Sequence, residues 1–168
     1  MLFNIKNLTR MFSVAVLVIG TTMAFGQVSD ARADDEYDGQ KSMVSNPKWK
    51  GECGACHFAY PPRFLPAESW RAIMTGLDKH FGSNASLDAE SANEITAFLE
   101  KNASTKKHDA SGKPLLRITE TRSFKSEHRE VAARIWKLPK VKSPANCGAC
   151  HTKAESGDFN EDNVKIPK

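Results

Sequence analysis

Two short segments hold every cysteine of the chain, and both follow the pattern Cys-x-x-Cys-His with Gly-Ala between the cysteines. Their cysteines are Cys53, Cys56, Cys147 and Cys150, and the histidines that follow are His57 and His151. This pattern is typical of c-type haem attachment. Two thiols form thioethers with one porphyrin, and the adjacent histidine becomes an axial ligand of the iron. The repeat therefore predicts two c-type haems, each covalently bound.

Cysteine pairs also have other uses. Four thiolates could bind zinc, and each pair could act as a redox dithiol. Neither use requires a histidine directly after both pairs, so the sequence favours haem over both.

Each haem iron has a second axial position, and three further histidines are available to fill it. His80 is predicted to share a helical face with Leu77, and His128 with Ile135. Because these faces are apolar and two irons need partners, we expect His80 and His128 to be ligands. His108 lies in a polar segment and is expected to be a solvated surface residue.

The spacing of the histidines suggests how they pair. His80 follows His57 by 23 residues, and His128 precedes His151 by the same number. We therefore pair His57 with His80 and His128 with His151, while exchange of the distal ligands between the two sites stays open. Met74 is the rival ligand, but a methionine among apolar helical positions is usually core filler.

Two imidazoles on each iron would leave no open coordination position and would favour low potentials, since methionine ligation raises them. The sequence therefore predicts an electron-transfer protein without a small-molecule substrate, and not an enzyme. The alternative is a haem enzyme with an open iron site.

The first residues resemble an export signal. Lys6 and Arg10 precede an apolar run over 11–25, and Ala31 and Ala33 form a small-x-small cleavage pattern. The run is shorter than the roughly 20 residues that a membrane span needs, although an uncut anchor remains the alternative. We expect a signal peptide over 1–33, cleavage after Ala33, and a periplasmic location.

The rest of the chain predicts a mainly α fold with much irregular loop. Helices are expected over 67–81, from a cap at Ser86 to about 102, and over 124–137 with Ser123 as cap. A polar segment over 104–114 is the expected linker between an N-terminal haem lobe, 34–103, and a C-terminal haem lobe, 115–168. Each lobe is expected to pack around one covalent haem.

Charge argues against a nucleic-acid partner. The chain has 24 basic and 20 acidic residues, and removal of the leader leaves 21 and 19. Four haem propionates would make the loaded protein mildly negative, so no nucleic-acid function is expected.

Three tryptophans are expected to pack against the haems, and three arginines are candidate propionate partners. They are Trp49, Trp70, Trp136, Arg63, Arg117 and Arg134.

Several segments together resemble the small periplasmic dihaem cytochrome c family known as DHC. They include 56–62, 65–71, 76–82 and 84–88 in the first half, and 117–121, 128–129, 143–147 and 157–167 in the second. The resemblance implies a two-lobed helical fold and bis-histidine ligation of both haems. It also implies two redox partners, an oxygen-binding monohaem cytochrome c and a membrane-bound cytochrome b. We expect the protein to be a monomer that meets its partners in transient complexes. The dihaem subunit of a periplasmic nitrate reductase is the rival within this class.

Overall fold

The computed structural model describes residues 44–106 and 112–168. The predicted signal peptide and His108 lie outside these residues. Within them the chain forms five α-helices: α1 (Pro47–Gly54), α2 (Ala67–Thr75), α3 (Ala89–Lys101), α4 (Arg122–Glu127) and α5 (Ala133–Trp136). Short 3-10 helices lie between and after them, at Pro62–Phe64, Leu77–Lys79, Ile118–Glu120, Cys147–Ala149, Ala154–Ser156 and Glu161–Asn163.

The first three helices enclose an apolar core. Trp49 of α1 is buried, and its ring lies 5.3 Å from that of Phe98 on α3. The buried members of this core are Trp49, Ala59, Leu65, Trp70, Ile95 and Leu99. Polar contacts on the rim join the same helices, because Arg71 Nε donates to Glu100 at 2.7 Å and Lys48 Nζ lies 2.8 Å from Glu94. The core therefore fixes α1 against α2 and α3.

The second half of the described chain is built from shorter elements. Its buried apolar residues are Ile135, Val141, Ala154 and Phe159, and none of them belongs to the core cluster of the first half. Many turns replace long helices there, and most of their backbone bonds are local, although the tail also bonds to the segment around Cys150. This half has little apolar material of its own to bury.

The predicted helix over 67–81 is shorter than expected. It ends at Thr75, where Gly76 takes a non-helical conformation with φ −113° and ψ 22°. A 3-10 turn follows, and His80 comes at its end. The next helix is capped by Asp88, whose Oδ1 accepts from the Ser91 N–H at 2.9 Å, so the predicted cap at Ser86 is wrong.

The predicted helix over 124–137 is also wrong as a single element. α4 begins earlier, with Thr121 as its cap instead of Ser123, and ends at Glu127. The backbone then turns, with the Val131 N–H donating to the His128 carbonyl oxygen, and Ala132 has a ψ of 138° before α5 begins. An extended residue cannot continue a helix, so the two short helices are separate.

The predicted fold class is confirmed: the described residues are helical with much irregular loop and contain no strand, only isolated bridges. The described residues all belong to one compact unit. The division into lobes at 104–114 stays a prediction. No helix in the described part is long and apolar enough to cross a membrane.

Candidate functional site

The first Cys-x-x-Cys-His segment begins at the end of α1. Asn46 caps this helix, since its Oδ1 accepts from the Trp49 N–H at 2.8 Å. Trp49 is almost fully buried, and Cys53 packs against the same core one turn later. Burial of Trp49 thus holds the helix and sets the position of Cys53, while His57 follows after the helix has ended.

The second segment has a different backbone conformation from the first, although the five residues of the two segments are the same. Cys147–Ala149 forms a 3-10 turn, and the His151 N–H donates to the Cys147 carbonyl oxygen at 2.8 Å. The C-terminal tail holds this segment in place, because the Lys165 N–H donates to the Cys150 carbonyl oxygen at 2.8 Å. The C-terminal tail thus fixes the position of the second segment, as the apolar core fixes the position of the first.

His80 lies opposite His57. The 3-10 turn Leu77–Lys79 presents it, with the His80 N–H bonded to the Leu77 carbonyl oxygen. The ring centroids of His57 and His80 are 6.1 Å apart, and the rings are 19° from parallel.

His128 lies opposite His151 in the same way. It directly follows the last residue of α4, its ring stacks on that of Phe124 at 4.0 Å, and its centroid is 6.0 Å from that of His151. The structure therefore brings together the two histidine pairs that the spacing suggested. In this pair the rings are 68° apart, so the two sites differ in the relative orientation of their imidazoles.

The spacing of both pairs suits a metal between the rings. A metal–imidazole bond is about 2 Å long, so two imidazoles on opposite sides of one metal have centroids about 6 Å apart. The two pairs have separations of 6.1 and 6.0 Å. Each pair could therefore hold one haem iron, His57 with His80 at one site and His128 with His151 at the other.

Hydrogen bonds of the rings favour the same use. Nδ1 of His57 lies 2.7 Å from the Phe58 carbonyl oxygen, and Nδ1 of His128 lies 2.9 Å from that of Phe124. A carbonyl only accepts, so each Nδ1 is the donor, and Nε2 keeps the lone pair that a metal needs. These carbonyls would orient the ligands as outer-shell groups do at metal sites.

Burial affects the titration of the two other histidines. Burial lowers the pKa of His80, and the neighbouring His57 lowers it further. Burial likewise lowers the pKa of His151, with a further contribution from His128. Both causes favour the neutral imidazole, which is the form that binds a metal.

The cysteines do not resemble those of a reactive dithiol. Burial raises the pKa of the Cys53 thiol to about 11, and it does the same for Cys147. Catalytic and redox cysteines have a lowered pKa instead. In the described part, no three or more His, Cys, Asp or Glu residues form a group that could bind a metal ion by themselves. The geometry therefore gives no support to the zinc or dithiol alternatives.

The remaining predicted residues have different surroundings. Trp49 and Trp70 belong to the apolar core, and the Trp70 indole N–H donates to the Pro62 carbonyl oxygen at 2.6 Å. Trp136 lies 5.9 Å from His128 between ring centroids. Met74 packs against the core, as expected of filler.

The candidate arginines differ in their contacts. Arg63 donates to the Gly157 carbonyl oxygen at 3.1 Å, which joins the two halves of the chain. The guanidinium of Arg117 lies 4.2 Å from the centroid of the Phe81 ring. Arg134 is exposed on α5.

Sequence reasoning missed three aromatic residues beside the histidines. Phe124 stacks on His128, Tyr60 lies 5.1 Å from His57, and Phe159 lies 5.1 Å from His151. Only Phe124 had a signal, since it precedes His128 by four residues on a predicted helix. Tyr60 also joins the two halves, because its hydroxyl donates to the Ala145 carbonyl oxygen at 2.8 Å.

Comparison with known proteins identifies the family of the chain. The family model described as dihaem cytochrome c matches residues 49–159. No curated protein matches the chain.

Solved structures of dihaem cytochromes are similar to it. A diheme cytochrome c from Rhodobacter sphaeroides is 41% identical with a TM-score of 0.65, and the match covers 71% of this chain and all of that one. The diheme cytochrome sb-DHC from Shewanella baltica OS155 is also 41% identical, with a TM-score of 0.64 and coverage of 73% and 93%. A DHC purified from Rhodobacter sphaeroides is 47% identical, with a TM-score of 0.61 and coverage of 70% and 99%. The chain, with its two c-type haems, therefore belongs to the dihaem cytochrome c family.

Proposed function

We propose that this protein is a low-potential electron shuttle of the periplasm that has no substrate of its own. The observation that carries the proposal is the pair of histidine contacts, His57 with His80 and His128 with His151, at 6.1 and 6.0 Å between ring centroids. An iron held by histidine on both sides has no position left for oxygen, peroxide or another substrate. Its remaining chemistry is the gain and loss of one electron.

The proposed ligand set also bears on the potential. A methionine ligand raises the potential of a haem, and Met74 packs against the apolar core and not beside a histidine pair. Two histidine ligands on each iron therefore favour low potentials. The haems supply the redox chemistry, and the chain supplies the thioether cysteines Cys53, Cys56, Cys147 and Cys150 and the four imidazoles.

The periplasmic location is part of the proposal. The positively charged start, the apolar run and the small-x-small pattern before residue 34 support export and cleavage after Ala33. Partners are proposed from family resemblance: an oxygen-binding monohaem cytochrome c and a membrane-bound cytochrome b. A monomer that forms transient complexes suits a carrier that must bind and release each partner quickly.

A redox titration followed by electron paramagnetic resonance tests the proposal on the purified full-length product. We expect two one-electron steps at low potential and two low-spin signals typical of bis-histidine haem. The reduced native protein should not bind carbon monoxide. A high-spin ferric signal at rest, or rapid carbon monoxide binding, would instead support a haem enzyme. Stable co-purification with a molybdenum enzyme would support the nitrate reductase subunit.

A further inference from the structure

The excess positive charge of the described chain lies in one short segment. Residues 122–142 contain seven basic and two acidic side chains. The neighbouring ranges are close to balance: seven of each over 44–106, two basic and one acidic over 112–121, and three basic and four acidic over 143–168. The segment with a net charge of +5 is the one that carries His128.

All seven basic side chains of this segment are exposed, and together we call them the basic surface. They are Arg122, Lys125, Arg129, Arg134, Lys137, Lys140 and Lys142. The two acidic residues, Glu127 and Glu130, are also exposed, and Glu130 pairs with Arg129 at 3.5 Å. These two carboxylates and the two propionates of one haem together still leave an excess of three positive charges, so a positive field extends from this part of the molecule.

The segment exposes no large apolar side chain. Ile135 and Val141 are buried, with exposed fractions of 6% and 1%. The large exposed apolar side chains of the described chain, Val44, Phe81, Leu116 and Ile166, all lie elsewhere. A helix that lies in a membrane interface presents a wide apolar face to the lipid. α4 and α5, with six and four residues, present charge without such a face.

The basic surface is also close to a proposed iron ligand. His128 lies within the segment and contacts the rings of Phe124 and Trp136. A partner bound over α4 and α5 would therefore be separated from the second haem site by little protein.

We infer that the basic surface is the docking site for a one-electron carrier protein with an acidic face. This inference rests on the proposed shuttle function and names the class of partner for the second haem site. Charge complementarity would speed encounter without tight binding, which suits a carrier that must also release its partner. The acidic partner should be recognised through long-range charge and not through a buried apolar patch.

Stopped-flow electron transfer from a reduced flavodoxin, an acidic one-electron carrier, tests this. The flavodoxin is oxidised by one electron and the oxidised cytochrome is reduced by the same electron. The test variant combines Lys125→Glu, Lys137→Glu and Lys140→Glu. The control variant combines Lys50→Glu, Lys101→Glu and Lys168→Glu, which are exposed and change the net charge equally. The methyl viologen radical cation, a small one-electron donor of low potential, serves as a second reductant of opposite sign.

We expect the wild-type rate with flavodoxin to fall steeply with salt. At low ionic strength the test variant should be slower by about tenfold or more, and the control variant by about twofold or less. The three proteins should converge near 1 M salt, where the screening length is about 3 Å. Reduction by the small cation should be as fast or faster in the test variant.

Four outcomes would overturn the inference. They are an equal loss in both variants, an unchanged rate in the test variant, loss of haem absorbance per protein in that variant, and binding to phosphatidylglycerol vesicles with an unchanged flavodoxin rate. The third would mean that the lysines serve the haem, and the fourth that the surface binds lipid. A wild-type protein that accepts electrons from neither reductant would instead refute the shuttle function itself.

Discussion

The rings of Phe159 and His151 are in contact, with centroids 5.1 Å apart and an interplanar angle of 58°. Phe159 lies in the C-terminal tail, yet its ring also contacts Phe58 and Phe64 of the first half, at 6.0 and 5.0 Å. One buried side chain therefore packs on a proposed ligand of the second haem and on the segment that follows the first.

Replacement of this ring should weaken both the fold and the second haem site. We expect Phe159→Ala to lower the free energy of unfolding by about 3 kcal/mol, the usual cost of removing a buried phenylalanine ring. The low-spin spectrum of one haem should also change, because His151 loses a neighbour that fixes its ring. Guanidinium titration and the absorption spectrum measure the two effects. Ile166→Ala, an exposed change in the same tail, should leave both as in the wild type.

The proposed distal ligands make a direct prediction. His80→Ala and His128→Ala should each convert one haem from low to high spin and open that iron to carbon monoxide, while the other haem stays low-spin. Electron paramagnetic resonance of the oxidised variants and carbon monoxide difference spectra of the reduced ones measure this. His108→Ala is the matched control and should change neither. A spectrum altered by His108→Ala, or left unaltered by either other change, contradicts the assignment.

The observed cap of α4 is Thr121, whereas the sequence suggested Ser123, two residues further along. Thr121 is buried; its Oγ1 accepts from the Phe124 N–H at 3.1 Å and donates to the Ile118 carbonyl oxygen at 2.7 Å. Thr121→Val removes both bonds and should cost about 1 kcal/mol of stability. Ser123→Ala, an exposed change two residues further along, should cost much less.

Since His128 directly follows the last residue of α4, the cap also has a spectroscopic readout. The valine variant should lose the low-spin signal of one haem at a lower denaturant concentration than the wild type, before the first haem responds. Equal stability of the two variants would mean that the cap has been placed at the wrong residue.

The sequence predicted the motifs and the helical class because both depend on local patterns. The Cys-x-x-Cys-His segments need no fold to be recognised, and apolar spacing located helices near α2, α3 and α4. It did not predict where the helices end. Ser86 and Asp88 are both suitable caps, and only the packing of α3 decides between them. Contacts such as Tyr60 with Ala145 join residues 85 positions apart and leave no local signal.

The cap of α3 predicts a small dependence of stability on pH. Hydrogen bonds from the Ser91 backbone N–H and side chain lower the pKa of Asp88. A carboxyl with a lowered folded-state pKa contributes stability above its unfolded pKa of about 3.9, and loses it as the pH falls through the folded value. Asp88→Asn keeps a capping side chain without the charge. The stability difference between wild type and variant should therefore be largest near pH 6 and shrink below pH 4.

Guanidinium midpoints at a series of pH values measure that difference. Glu161→Gln, an exposed change in the tail, is the control, and its guanidinium midpoint should change with pH in the same way as that of the wild type. A difference that stays constant from pH 6 to pH 3 would show that the charge of Asp88 contributes nothing.

The two halves of the chain should differ in how strongly their folding depends on the bound haem. The buried core of the described chain comes from the first half, whereas Ile135, Val141, Ala154 and Phe159 of the second half lie outside it. We expect Cys147→Ser with Cys150→Ser to lose one haem by mass and to leave amides over 115–168 exchanging almost as in an unfolded chain. α2 and α3 should stay protected in that variant. The matched variant, Cys53→Ser with Cys56→Ser, should keep part of the protection of α3, because Trp49, Ile95 and Leu99 still pack together. Full protection of the second half without its haem would mean that the polypeptide alone is enough to fold it.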